Sequence, residues 1–205
     1  MRGRRRGLAW ATLVTGLLLV LSTLDAMRWA EEEVVIDAPM PEVWAYVGDS
    51  ARATEWSVYF HHITPLDAFD GARGARRVCY RRADETGSRW DEVITDVEQG
   101  EVVWHRRLRM SDLHGFSGMA GRLGPHLVYD VEQRYTQLDD GRVALRFRTR
   151  LARHRAAGFL FRPYAAEVRR VFRLNLENIR EAVEARSRGE RYARRHAYEP
   201  THPYD

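Results

Sequence analysis

Residues 135–151 read YTQLDDGRVALRFRTRL, and they carry the clearest structural signal in the chain. An Asp-Gly turn at Asp139–Gly141 separates two runs of β-forming residues, which is a strong short-range signal for a hairpin. In the second run, apolar side chains and one threonine alternate from Val143 to Leu151, and arginines occupy most of the positions between them. This alternation predicts an antiparallel sheet with one buried face and one face in water.

Further strands are predicted ahead of this hairpin. The expected strand segments are Glu33–Asp37, Arg76–Arg82, Arg89–Val97, Glu101–Leu108, His126–Leu138 and Arg142–Leu151. Proline is favoured in the first turn of a helix, so a short helix is predicted over Pro41–Val47. Residues Ser50–Trp56 can add one or two helical turns.

A long helix is predicted to close the globular part, from Pro163 to about Arg186. Its apolar residues recur at spacings of three and four, which places them on one helical face. These residues are Tyr164, Val168, Val171, Phe172, Leu176, Ile179 and Val183. Such a helix would be roughly 36 Å long, enough to cover the buried face of a curved sheet. The fold class is therefore predicted to be α+β.

Length and residue usage exclude several function classes. A chain of 205 residues has room for one domain. All 33 basic residues are arginines, so a P-loop, a lysine Schiff base and a Ser–Lys dyad are excluded. The single cysteine, Cys79, cannot form an intrachain disulfide or a cysteine zinc site. We predict no cofactor and no metal.

The positive charge is confined to the N terminus. Residues 1–30 contain five arginines and one aspartate, and they account for the whole net charge of +4. A nucleic-acid-binding protein usually carries its basic excess on the folded domain. We therefore predict no nucleic-acid partner.

The N-terminal segment is predicted to be a membrane anchor. Four arginines precede an uncharged run over residues 7–24, which as a helix would span about 27 Å of a hydrocarbon layer about 30 Å thick. The candidate cleavage sites lack small residues where a signal peptidase needs them, and Trp29 suits the membrane interface. Residues 1–30 are therefore predicted to be a retained single-pass anchor. The arginine-rich end would be cytoplasmic and the domain outside, with export after signal cleavage as the alternative.

Five segments together resemble one protein superfamily. They are EEVVIDAPMPEVWAYVGD at Glu32–Asp49, ARATEW at Ala51–Trp56, RWDEVITDVEQGEVVWHR at Arg89–Arg106, YTQLDDGRVALRFR at Tyr135–Arg148 and RRVFRLNLENIREAVE at Arg169–Glu184. With the order of the predicted elements, they make the chain similar to the START-like (SRPBCC) superfamily, in its polyketide cyclase/dehydrase and lipid-transport branch. The resemblance covers residues 31–186 and leaves 187–205 as a polar tail that we expect to be disordered. It implies a helix-grip fold, in which a curved antiparallel sheet wraps around a long C-terminal helix and leaves a cavity for an apolar ligand.

Strand parity and this resemblance together suggest which residues line the cavity. Aromatic walls with a few polar groups are typical of small-molecule pockets. On its strand, Trp104 is favoured over His105 for the inward position. The alternative is that these aromatic side chains fill a solid core. The candidate ligand-binding residues are Trp56, Tyr80, Trp90, Trp104, Tyr129, Phe147 and Phe172.

Only one weak catalytic candidate emerges, and no catalytic residue is assigned. Glu92 shares the parity of Trp90 and could act as a desolvated acid or base. The alternative is an ion pair with an arginine of a neighbouring strand, such as Arg82 or Arg106. Next to the cavity, Ser111–Pro125 has a glycine at every third position and is interpreted either as a lid or as a variable surface loop.

Three functions follow as hypotheses. The first is membrane-tethered binding or carriage of a small hydrophobic ligand, such as a lipid, a quinone or a polyketide-like molecule. The second is a polyketide cyclase/aromatase-type enzyme that uses the same cavity, which the resemblance alone supports. The third is a non-catalytic protein-interaction module. The sequence leaves the oligomeric state open.

Overall fold

The computed structural model describes residues 14–17, 20, 29–67, 70–115, 130–151 and 162–193. Within these residues, the strands are β1 (Trp29–Ile36), β2 (His62–Pro65), β3 (Arg76–Tyr80), β4 (Arg89–Gln99), β5 (Val103–His114), β6 (Asp130–Gln137) and β7 (Val143–Arg150). The helices of the domain are α1 (Met40–Gly48), α2 (Ala53–Trp56) and α3 (Arg162–Ser187), with a 3-10 turn at Ser50–Arg52.

The strands form one antiparallel sheet in the order β1-β7-β6-β5-β4-β3-β2. The predicted β6–β7 hairpin is confirmed, with Tyr135 opposite Leu145. At its turn, the Arg142 backbone N–H and Nε both donate to the Asp140 carboxylate, and Gly141 adopts a φ of 87° that glycine tolerates best. The predicted α+β class, with an antiparallel sheet and a long C-terminal helix, is also confirmed.

Helix α3 covers one face of the sheet, which we call the inner face. Leu176, Ile179 and Val183 are at most 2% exposed and belong to the same buried cluster as Ile36 and Leu145 of the sheet. The spacing of three and four residues puts these helical side chains on one stripe, as expected for a helix that packs on a core.

Two asparagines of α3 fix the chain around α2. The Val58 backbone N–H donates to Asn175 Oδ1 at 2.8 Å, and Asn178 Nδ2 donates to the Trp56 carbonyl at 3.2 Å. Asn178 Oδ1 also accepts from the Tyr192 hydroxyl at 3.0 Å. Tyr192 lies in the predicted polar tail, yet it packs against the main core. This part of the tail is therefore attached to the domain.

The outer face of the sheet is a ladder of exposed ion pairs. Arg146 lies 3.5 Å from Glu31 and 2.8 Å from Glu33, and Arg148 lies 3.2 Å from Glu31. Exposed pairs of this kind contribute little stability. Trp29 opens β1, and the Arg148 guanidinium lies 4.0 Å from the centre of its ring. Trp29, which the sequence predicts at the membrane interface, therefore also begins the sheet.

Most of the predicted membrane span at residues 7–24 lies outside the described residues. In the part of the chain that the structure describes, no helix has both the length and the apolar character needed to cross a bilayer.

Several strands differ from their predicted extent, and β1 begins at Trp29, four residues before the predicted start at Glu33. The edge strand β2 has four residues and was not predicted. Strand β5 continues to His114, so the first residues of the predicted lid or loop at Ser111–Pro125 are β-structure. The remainder of that segment, from residue 116, lies outside the described residues.

Candidate ligand-binding site

An aromatic cluster lies on the inner face, near the junction of α2 with β3 and β4. We use this name for Trp56, Tyr59, Phe60 and Trp90. The Phe60 ring makes edge-to-face contacts with Trp56 at 5.5 Å and with Trp90 at 5.8 Å, and Tyr59 lies 5.6 Å from Trp90. Edge-to-face pairs add stability beyond the area they bury.

A second aromatic contact joins the sheet to α3. Phe147 of β7 and Phe172 of α3 meet edge to face at 5.8 Å. Phe147 is 3% exposed, whereas Phe172 is half-buried, like Tyr164, Val168 and Val171 earlier in the helix. The N-terminal half of α3 is therefore less tightly covered than the half that carries Leu176 and Ile179.

The structure brings most of the predicted ligand-binding residues to the inner face. Trp56 and Trp90 lie in the aromatic cluster. Phe147 lies on the sheet beneath α3, and Phe172 contacts it from that helix. Trp104 is half-buried and packs edge to face on Trp44 at 5.5 Å. On the outer face, His105 Nε2 lies 3.0 Å from an oxygen of Asp96.

Two of the predicted residues are not among them. Tyr129 lies outside the described residues. The inward parity predicted for Tyr80 is wrong, because the register places Cys79 opposite Trp90. Cys79 is fully buried on the inner face, and Tyr80 stacks on His62 on the outer face with 5.0 Å between ring centres.

Trp56 carries an unusual polar atom in this apolar setting. Its side chain is 5% exposed, and among the described residues its indole Nε1 has no hydrogen-bond partner. Buried polar groups are nearly always paired, and each exception calls for a physical explanation. Trp56 therefore offers one free donor inside an aromatic surrounding.

Glu92, the weak catalytic candidate, is held by partners on both oxygens. Oε2 accepts from Arg77 Nε at 2.9 Å, and Oε1 accepts from Trp90 Nε1 at 3.0 Å. An arginine pairs with Glu92 as the alternative prediction expected, but it is Arg77 and not Arg82 or Arg106. Burial opposes the charge on Arg77, but Glu92, together with Cys79 and Asp70, more than offsets this and raises the Arg77 pKa. Burial, followed by the Glu92 charge, raises the pKa of the neighbouring Cys79 thiol.

Arg106 is a second inward arginine, and its surroundings differ from those of Arg77. It is 2% exposed, and within the described part of the chain its Nη1 donates a hydrogen bond to Gln133 Oε1 at 3.3 Å. Nε has no partner among the described residues. The guanidinium lies 4.1 Å from the centre of the Trp44 ring, a cation–π contact. Burial lowers the Arg106 pKa, which shows how poorly this charge is solvated.

A cleft of about 630 Å³ adjoins Arg106. It lies between α1, the loop at residues 70–72 and the β4–β5 hairpin. Its walls include the side chains of Trp44, Ala45, Ala72 and Val97 and the charged groups of Asp49, Asp70 and Arg106. We call it the Arg106 cleft, and none of its residues belongs to the aromatic cluster.

The Arg106 cleft was not predicted from the sequence, although one signal was available. Arg106 stands two residues after Trp104 and shares its inward parity. Gly48 and Trp44 complete the surroundings of Arg106 from α1, and their approach depends on how that helix docks on the sheet.

Comparisons with known proteins agree on the fold. No family model matches the chain, and no curated protein matches it. Among solved structures, a hypothetical protein from Helicobacter pylori has a TM-score of 0.58 at 11% identity, and the match covers 76% of this chain and 87% of that one. A protein from Nitrosospira multiformis has a TM-score of 0.52 at 14% identity, with 78% and 99% covered.

The di-domain ARO/CYC protein StfQ from the steffimycin biosynthetic pathway is a third structure of this kind. Its TM-score is 0.52 at 16% identity, and the match covers 77% of this chain and 45% of StfQ. Identities this low show the fold alone. The chain therefore shares the helix-grip type of α+β fold with these three proteins, and the resemblance seen in its sequence is confirmed at that level.

Proposed function

We propose that the protein binds a small, mainly apolar ligand on the inner face of the sheet, between the aromatic cluster and the N-terminal half of α3. The observation that carries this proposal is the unpaired indole N–H of Trp56 among aromatic side chains. A buried donor without a partner costs free energy. An acceptor oxygen on a bound molecule would remove that cost and orient the molecule.

Two further observations support the proposal. The side chains of α3 from Tyr164 to Phe172 include several apolar ones that are only half-buried, so this half of the helix has surface left to contact a ligand. StfQ is named as an ARO/CYC protein from a biosynthetic pathway, and it shares the fold. Fold likeness alone does not transfer an activity, so we propose binding and not a reaction.

The enzyme alternative is less well supported by the described residues. Glu92 was the only acid or base that the sequence offered for the interior. Its two carboxylate oxygens are engaged by Arg77 and Trp90, which suits a structural ion pair better than proton transfer to a substrate.

The test of ligand binding uses Nile red, a neutral apolar dye, with the parent protein and a Trp56→Phe variant. Phenylalanine keeps an aromatic ring at this position but removes the five-membered ring of the indole together with its N–H. We expect the dye to bind the parent several-fold more tightly than Trp56→Phe, and the variant to lose some stability in denaturant because the smaller side chain leaves a void. Trp104→Phe, which alters an aromatic residue outside the cluster, is the matched control. Equal binding to the parent and Trp56→Phe, or no binding to either, would contradict the proposal.

We also propose that residues 1–30 tether this domain to a membrane, with the arginine-rich end in the cytoplasm. The support is in the sequence, where the whole net charge of +4 precedes the domain and an uncharged run occupies residues 7–24. Alkaline carbonate extraction of membranes from expressing cells tests the tether, and a periplasm-dependent reporter fused after Asp205 tests the orientation. Release of the protein by carbonate would refute the anchor, and a reporter active only in the cytoplasm would refute the topology.

A further inference from the structure

We propose that the Arg106 cleft is a second binding site, which recognises a small organic carboxylate with an apolar body. This inference goes beyond the apolar site proposed above. The Arg106 cleft shares no residue with the aromatic cluster, so either site can fail without the other.

Among the charged side chains of the cleft, Arg106 is the one that points to an anion. Asp49 lies 3.3 Å from Arg52 and accepts from the Ala51 backbone N–H. Both oxygens of Asp70 accept from Ser50, one from its backbone N–H and one from its hydroxyl, each at 2.8 Å. Asp49 therefore has a cationic partner, whereas Asp70 is held by the neutral Ser50, and the Asp70 charge partly opposes the lowering of the Arg106 pKa. Arg106 is the buried charge of the cleft, and no carboxylate of the described residues lies within ion-pair distance of it.

Burial makes the lack of an ion pair at Arg106 energetically costly. Asp70 is exposed, whereas Arg106 is 2% exposed and its Nε finds no partner among the residues that the structure describes. A buried charge is costly unless it is paired. A ligand carboxylate would provide both the missing charge and the missing acceptor, and arginine binds carboxylates through two parallel N–H groups.

The backbone around Arg106 leaves room for the guanidinium. A Cβ at Gly48 would lie 2.6 Å from Arg106 Nη2, and one at Gly71 would lie 3.7 Å from the same atom. Gly71 has a φ of 79°, which suits glycine. The absence of a side chain at Gly48 thus permits the guanidinium to lie against α1, next to the cleft.

The remaining walls suit an apolar body of modest size. Trp44, Ala45, Ala72 and Val97 line the space beside the charge. Its volume of about 630 Å³ lies within the range usual for small-molecule sites. A carboxylate held by Arg106 could therefore place its apolar part against these side chains.

The test compares three ligands that share one ring: benzoate, benzamide and benzylamine. Binding is followed through the backbone amide signals of Gly48 and Gly71 in two-dimensional NMR, with the full chain in detergent. We expect benzoate to bind at least about tenfold more tightly than benzamide, since a charge-assisted contact is lost, and benzylamine not to bind. If benzamide binds as well as benzoate, or if benzylamine binds more tightly, the assignment of a carboxylate is wrong.

Two variants separate recognition from packing. Arg106→Met should abolish benzoate binding and leave the protein as stable or more stable, because it replaces an unpaired buried charge with an apolar side chain. Arg107→Met makes the same change at the exposed neighbour on the opposite face and should leave benzoate binding unchanged. Loss of binding in both variants, or retained binding in Arg106→Met, would overturn the proposal. A large loss of stability in Arg106→Met would show that the arginine serves the fold instead.

Discussion

Replacing Gly48 with alanine should displace the Arg106 guanidinium and destabilise the protein. In a helix this change ordinarily stabilises by about 0.5–1 kcal/mol. Here the new Cβ would lie 2.6 Å from Nη2, closer than a carbon and a nitrogen can approach without a shift, and at a tight 3.2 Å from both Cζ and Nη1. Because Arg106 is buried between Trp44 and Gln133, its guanidinium cannot simply swing into water. Forced overpacking typically costs about 1–3 kcal/mol, so we expect a net loss of roughly 0.5–2 kcal/mol.

A double-mutant cycle with Arg106→Met assigns the cause. Methionine ends before the guanidinium atoms that the new Cβ would meet, so Gly48→Ala should become neutral or stabilising in that background. The free energy of unfolding is measured in urea for the parent, both single variants and the double variant. Coupling of about 1 kcal/mol or more is the expected result, since residues in direct contact are not additive. An equal loss in both backgrounds would refute the close approach of α1 to Arg106.

Three further predictions test other described contacts. Glu92→Gln should cost about 3–5 kcal/mol in urea unfolding because it leaves Arg77 buried without a counter-ion, whereas Arg82→Gln, at an exposed arginine, should change stability by less than about 0.5 kcal/mol. Cys79 should resist iodoacetamide at about pH 8 in the folded protein and react within minutes in urea, since burial raises its pKa; equal rates would contradict its placement. Burial raises the pKa of Tyr135 to about 12, above the value of about 10 in the unfolded chain. The stability that the neutral phenol supplies is therefore complete below about pH 10, and it is lost as the pH rises toward 12. Tyr135→Phe should therefore flatten the loss of stability over that interval, and an unchanged slope would count against it.

The elements with strong local signals were predictable from the sequence. The Asp-Gly turn and the alternation after Val143 identified the β6–β7 hairpin, and the spacing of apolar residues identified α3. Strand β2 was not predicted because it has only four residues and ends at Pro65. A short edge strand has too few residues to show a periodic pattern.

The errors at the candidate site come from long-range contacts. On β3, the predicted inward and outward faces are wrong because Arg77 faces inward to pair with Glu92. This placement reverses the usual rule that polar side chains face water. That placement moves Cys79 inward and Tyr80 outward. The role of Arg106 depends on Gly48 and Trp44, which come from a helix far away in the chain. No local sequence pattern indicates a contact between residues so far apart in the chain.

The proposal that the inner face holds an apolar ligand can be tested on protein purified from its native cells. Solvent extraction followed by mass spectrometry should release one kind of small, mainly apolar molecule in near-stoichiometric amount from the parent. The amount should be clearly lower from Trp56→Phe and unchanged from the Trp104→Phe control. An extract without any such molecule, from protein that also fails to bind Nile red, would contradict the account, and the aromatic cluster would then be a solid part of the core.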